Sequence, residues 1–399
     1  MRTCDSERGF TIVELMIASM ITLMVMGVAF STFQNALQLN EAVVQLADSN
    51  QNLRAGTNLL VRDLMQAGRN IPVGGVAIPS GSSAEAIHRP SPPGEDYAFD
   101  NAATGARLST ITTGEGMGLE VANRPTDMVT ILMADPFLDD LAVHQEDADT
   151  TLPRVAATGA SFDVGTSVGG LAWLAGDADS GIAPISEGDL IFFAATGSGN
   201  AIQTVTRVDD GVVYFEADDS FNFNQRGSAK CVFNDDGDIT NSANCLPGSI
   251  TEILPDLDIA WEEDSEAAMT VRRVLMYTYY VDEEDEAPGV PRLMRKLNHA
   301  DATALAGVIE DLTLRYDLVD GDVNPTDIAE LPYPADVNEA AGEVQYTPSQ
   351  IRKVNVHVGV RSETISTRSG DYLRQHLSTV VSIRNLAWVS RYNTEEEES

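Results

Sequence analysis

The sequence predicts an α+β protein: one long helix at the N-terminus, then a large strand-rich head. Three patterns carry that prediction. Leu15 to Phe30 is an apolar run without a charge. From Leu39 to Ala67, stripe positions recur at spacings of three and four, the signature of an amphipathic helix. From Asp127 onward come short strand-like segments: Asp127 to Ala134 is a buried-type apolar run, and Ile309 to Leu318 and Ile351 to Val360 alternate with the period of two that marks half-buried strands.

Phe10 to Val13 and Ser31 to Phe33 lengthen the apolar run to at least the ~20 residues that cross a bilayer. Glu14 is the single charge within it. The stripe that follows is Leu39, Val43, Leu46, Asn50, Leu53, Thr57, Leu60, Leu64 and Ala67, with Glu41, Asp48, Arg54, Arg62 and Asp63 among the residues between. Polar Asn50 and Thr57 within the stripe favour a helix docked on a sheet over a coiled coil. Gly68 and Pro72 end the helix. From Phe10 to Ala67 it spans about 85 Å at ~1.5 Å per residue.

Residues 73 to 118 are rich in Gly, Ser, Pro and Ala, which predicts an irregular segment running over the surface. Strands are then expected at Asp127 to Ala134, Gly188 to Ala194, Ala201 to Val208 and Gly211 to Phe215. Val271 to Val281 and Val290 to Leu297 read as a hairpin around the acidic tip Asp282 to Glu286. Ile309 to Leu318, Ile351 to Val360 and Leu377 to Ile383 complete the set, and a charged tail ends the chain.

Composition excludes several function classes. Lys and Arg number 25 against 61 Asp and Glu, a formal charge of −36, so the surface repels phosphate backbones and no nucleic-acid partner is expected. Three cysteines and five scattered histidines offer no ligand set for a catalytic zinc.

Three readings of the N-terminus compete. A secretory signal peptide would end in small residues at a cleavage site, yet the apolar run continues into the helical stripe. A plain membrane anchor leaves Glu14 unexplained, since a carboxylate in hydrocarbon costs roughly 2.5–3.5 kcal/mol. The third reading explains both Gly9 and Glu14. Arg8-Gly9-Phe10-Thr11-Ile12-Val13-Glu14-Leu15 resembles the processing site of type IV prepilins. The resemblance implies cleavage between Gly9 and Phe10 by a prepilin peptidase that also N-methylates Phe10, and an assembly role for Glu14.

It further implies a division of the chain: leader peptide 1–9, apolar transmembrane and assembly half 10–33, amphipathic half 34–70, β-rich periplasmic or extracellular head 71–390 and charged tail 391–399. More loosely, Ser186 to Leu190, Val308 to Leu312, Arg352 to Val356 and Ser382 to Leu386 are similar to phrases of the PilW-like minor pilins. Such a protein is a non-enzymatic minor pilin acting in pilus assembly or initiation. It is held in the inner membrane by one span with its head in the periplasm, and is later part of the pilus at the cell surface. Its partners are other pilins, the peptidase and methyltransferase, the inner-membrane assembly platform and, before assembly, lipid. The alternatives are a minor pseudopilin of type II secretion and an adhesive or calcium-binding module carried on a pilin stalk.

Candidate chemistry elsewhere is sparse. Gly165-Thr166-Ser167-Val168-Gly169 matches a hydrolase elbow, but Ser161 to Val164 is a poor strand and Gly169-Gly170 a poor helix start, so a glycine-rich loop is expected. No cofactor is expected. Asp235, Asp236 and Asp238, and Asp320, Asp322 and Asn324, are candidate calcium ligands on tight acidic turns, with a solvated turn the favoured reading of both. Cys231 and Cys245 bracket the first of these loops. Cys4 leaves with the leader, so the mature chain keeps an even pair, which is expected to oxidise outside the cytoplasm.

Overall fold

The computed structural model describes residues 11–99, 107–143, 152–156, 158–176, 183–195, 199–227, 245–254, 269–284, 288–319, 324–331, 333–334 and 345–386. Helix α1 (Ile12–Gln66) runs unbroken for 55 residues. The described strands of five residues or more are β1 (Val129–Ala134), β2 (Leu190–Ala195), β3 (Gly199–Thr204), β4 (Met269–Glu283), β5 (Pro291–Leu297), β6 (Thr303–Gly307), β7 (Ile309–Leu318), β8 (Ile351–Arg361) and β9 (Arg374–Ser382). One long helix on a β-rich head gives the expected α+β class.

The largest sheet is organised around β4. Its first half pairs antiparallel with β2 and, on the other edge, with Leu141–Val143. Its second half pairs with β5 and, on the other edge, with β1. Its middle is covered on both faces, with Tyr277, Tyr279 and Val281 in the core shared with α1 and Met276 and Tyr280 in separate clusters, so Met276 to Val281 are buried without alternation. A three-stranded sheet, β7-β8-β9, lies beside it and keeps the predicted period of two: Leu312, Leu314, Tyr316 and Leu318 of β7 and Val354, Val356 and Val358 of β8 are buried.

α1 packs on β1, β6, β8 and β9. Leu53, Leu60 and Leu64 enter the same core as Tyr279, Leu314 and Val356. The upper stripe docks as expected, but Leu39 and Val43 are exposed, and the first buried helix residue is Ser49. Gly56 permits the close approach: a Cβ there would lie 2.7 Å from the Cβ of Ala306 on β6. At the helix end the Gly68 N–H donates to Leu132 O at 2.9 Å, with Gly68 at φ +73°, and Asn385 Nδ2 donates to Ala67 O at 2.9 Å.

Three expectations are corrected. The segment after α1 is not a surface run throughout, because Val76, Ile78 and Ile87 are fully buried in a core cluster with Phe192 and Phe223. The single strand expected over Ala201 to Val208 is two: β3 ends at Thr204, and Arg207–Asp209 joins a separate four-stranded sheet with Val212–Tyr214, Ser161–Asp163 and Arg154–Val155. The Gly165 to Gly169 segment does sit between a strand, Ser161–Asp163, and a helix, α2 (Val168–Ala175). The poor helix start is overridden by packing. Trp173 is buried against Phe162 at 6.1 Å between ring centroids, and a Cβ on Gly170 would fall 2.0 Å from Val164 O.

Candidate functional site

Gly9 and Phe10 lie outside the described residues; the described chain begins at Thr11. Thr11 is the N-cap of α1 and Glu14 its third helical residue, and the two close a capping box. The Thr11 N–H and Oγ1–H both donate to Glu14 Oε2 at 3.0 Å, and the Glu14 N–H donates to Thr11 Oγ1 at 3.3 Å. The T-x-x-E spacing is the signal that sequence reasoning passed over. The carboxylate also faces the positive end of the helix dipole, which favours its charge.

Beyond the box, α1 stands free of the head. Every residue from Ile12 to Leu37 is exposed, including Ile12 at 81% and Phe30 at 64%. The helix is long and apolar enough to cross a membrane, and none of its apolar window is buried by the head. Three hydroxyls in the run are turned inward on the backbone. Ser19 Oγ donates to Met16 O at 2.9 Å, Thr22 Oγ1 to Ala18 O at 2.7 Å and Thr32 Oγ1 to Val28 O at 2.9 Å. A hydroxyl satisfied in this way carries little cost into hydrocarbon.

At its other end α1 is bolted to the head through Asp63, a residue that pattern reading placed with the polar set. Asp63 is 3% exposed. Its Oδ2 accepts from Tyr279 Oη at 2.6 Å and from Arg295 Nη2 and Nε at 2.7 and 3.0 Å, while Oδ1 accepts from Arg62 Nε at 3.2 Å. Burial, reinforced by the charge of Asp63, pushes the Tyr279 hydroxyl pKa well above its ordinary value, so it stays a donor. Burial works against the Arg295 cation, but Tyr279 and Asp63 outweigh it and hold its pKa above the usual arginine value. Arg295 also stacks over Tyr277 at 3.8 Å from the ring centroid. Lower on the helix, Gln45 Nε2 donates to Thr364 Oγ1 at 3.0 Å and Gln375 Nε2 to Leu46 O at 3.2 Å. The chain thus presents a β-rich head with a bare apolar helix segment held to it by these contacts.

The remaining candidates are placed as follows. Cys245 is disulfide-bonded, while Cys231 lies outside the described residues. Asp235, Asp236, Asp238, Asp320 and Asp322 also lie outside them; Asn324 is described and adopts φ +50°. Among the described residues no group of three or more His, Cys, Asp or Glu is arranged to hold a metal ion. Ser167 is the N-cap of α2, with Oγ accepting from the Gly170 N–H at 3.2 Å and an ordinary backbone at φ −62°. Neither the strained turn of a nucleophile elbow nor, among the described residues, a histidine partner accompanies it.

No curated protein and no solved structure matches the chain. Residues 4–30 match the family model of the prokaryotic N-terminal methylation motif. The bare helix and its capped start therefore overlap the segment that carries this motif, which supports a type IV pilin- or pseudopilin-like substrate of prepilin peptidase.

Proposed function

We propose that the chain is a minor pilin, a structural subunit in the assembly or initiation of a type IV pilus. Cleavage falls between Gly9 and Phe10, and Phe10 is N-methylated. Residues 10–33 then hold the protein in the inner membrane as a single span with the head in the periplasm, until the subunit is extracted into the filament. The observation that carries this reading is the contrast within α1: no residue from Ile12 to Leu37 is buried, while Leu53, Leu60 and Leu64 form part of the head's core. A helix that needs only its second half to fold keeps its first half for other helices and for lipid. The bulk of the head supports a minor role, since a domain of this size on every subunit would crowd a filament.

Mass spectrometry of the protein recovered from sheared pili is expected to give a mature chain beginning with N-methylated Phe10. Replacing Gly9 with valine, whose side chain obstructs a protease cleft, is expected to leave a precursor nine residues longer in the membrane. An intact Met1 in assembled filaments overturns the assignment. Absence from pili, together with a secretion defect on deletion, moves the protein to a pseudopilus.

We further propose that the partner of Cys245 is Cys231. A loop of this size is stabilised by about 3 kcal/mol in the chain-entropy model. Non-reducing peptide mapping of the mature protein is expected to show this bond and no alkylatable thiol. Two free thiols under denaturing, non-reducing conditions remove it.

A further inference from the structure

One cleft stands out against the charge of the chain. It has a volume of about 440 Å³ and lies where the last turns of α1 meet β4 and β5. Its walls carry three arginines, Arg62, Arg69 and Arg295, against one carboxylate, Asp63. Asp63 is already spent on Arg295, Tyr279 and Arg62. Arg62 and Arg69 are exposed, and among the described residues Arg69 has no ion pair. Tyr277 and Phe137, the latter 64% exposed, supply apolar surface. On a chain of formal charge −36, a cleft of net positive charge is an unusual feature.

An acidic segment of the same chain starts beside this cleft. Asn385 donates to Ala67 O, and Ala67 lies between Gln66 and Arg69, both of which line the cleft. Residues 387–399 lie outside the described residues; their sequence ends Arg391-Tyr-Asn-Thr-Glu-Glu-Glu-Glu-Ser399. The stretch from Leu386 to Glu395 can extend about 30 Å at ~3.3 Å per residue, far more than is needed to fold back onto the last turn of α1.

We propose that the cleft between α1 and β5 binds the carboxylates Glu395 to Glu398 of the chain's own C-terminal tail. Planar guanidinium groups pair with carboxylates through parallel hydrogen bonds, and at the rim Arg69 offers an open fork and Arg62 its two terminal nitrogens, its Nε being held by Asp63. The tether sets a high effective concentration, so the tail occupies the cleft in preference to the same sequence supplied in solution. The site stands apart from the N-terminal segment, and its test does not depend on filament assembly.

The test uses the full chain in detergent and a chain ending at Ser390. The probe is a fluorescently labelled peptide of residues 391–399, followed by anisotropy. Saturable, salt-sensitive binding to the shortened chain is expected, with at least tenfold weaker binding to the full chain, whose own tail competes. Arg69→Glu in the shortened chain is expected to weaken peptide binding at least tenfold. Arg62→Gln provides a second variant, with melting temperature recorded for both. Absence of saturable binding to the shortened chain overturns the proposal, as does equal binding by the arginine variants. Equal binding to the full and shortened chains overturns occupation by the chain's own tail.

Discussion

The Glu14→Ala protein is expected to be cleaved, to stay in the membrane, and to be at least tenfold depleted from sheared pili relative to wild type. Glu14 is the only ionisable side chain in the apolar run, where an unpaired carboxylate costs roughly 2.5–3.5 kcal/mol. The two Thr11 donors and the helix dipole offset part of that cost, and a cation offsets the rest. N-methylation leaves the amine of Phe10 charged, and pairing across neighbouring subunits sets their axial register in a medium whose low dielectric strengthens the attraction. The capping box adds a second role to separate. Thr11 places both of its donors on Oε2, so part of any effect of Glu14→Ala is the loss of a helix start, worth about 1 kcal/mol. Glu14→Gln divides the two, because glutamine can close the box but carries no charge. Depletion by both variants assigns the effect to charge. Rescue by Glu14→Gln assigns it to the cap, and normal incorporation of Glu14→Ala removes the pairing mechanism.

What could be read from the sequence was whatever is encoded locally. The eight residues from Arg8 to Leu15 carry the processing motif in a contiguous stretch. Alternation in β7 and β8 survives into the fold because each strand buries one face. The misses share a cause: the deciding partner is distant in sequence. Asp63 lies three residues after Leu60 and four before Ala67, on the buried side by spacing alone. Its charge argued for solvent, and only Tyr279 and Arg295, 216 and 232 residues away, make its burial tolerable. Gly56 lies on the same face and reads as a weak point in a helix until Ala306 is seen against it. At α2, propensity gave the wrong answer because burial of Trp173 outweighs two glycines, one of which, Gly170, is required where a Cβ would clash with the Val164 carbonyl. The capping box is the exception: Thr11-x-x-Glu14 was fully local, but Glu14 had already been given another role.

Asp63→Ala is expected to lower the stability of the head by about 3–5 kcal/mol, the range for removing one partner of a buried ion pair. The loss exceeds that of a deleted methylene because three donors converge on one oxygen: Tyr279 Oη and two nitrogens of Arg295. Without the carboxylate, Tyr279, fully buried, has no acceptor, and the Arg295 cation faces Tyr277 and Tyr279 uncompensated. Tyr279→Phe removes one donor together with its need for an acceptor, so it is expected to cost only about 1 kcal/mol. The double variant Asp63→Leu, Arg295→Met replaces both charges with apolar groups of similar bulk and is expected to recover most of the loss, since such swaps are often near neutral. Denaturant titration in detergent of wild type, Asp63→Leu, Arg295→Met and their double variant supplies the cycle and its coupling energy, with Asp63→Ala and Tyr279→Phe titrated beside them. A coupling near zero, with Asp63→Ala costing under about 1 kcal/mol, would reduce the pair to the value of a surface salt bridge. The position matters as much as the energy. Asp63 occupies the last turn of α1, so it fixes the end of the rod to β4 and β5, while Gln45 and Leu46 meet the head about 27 Å further down at ~1.5 Å per residue. Two such fixings hold the direction in which the apolar segment leaves the head. Loss of the upper one should therefore reduce entry into the filament even below the temperature at which the variant head unfolds, whereas the double variant, with its packing restored, should enter normally.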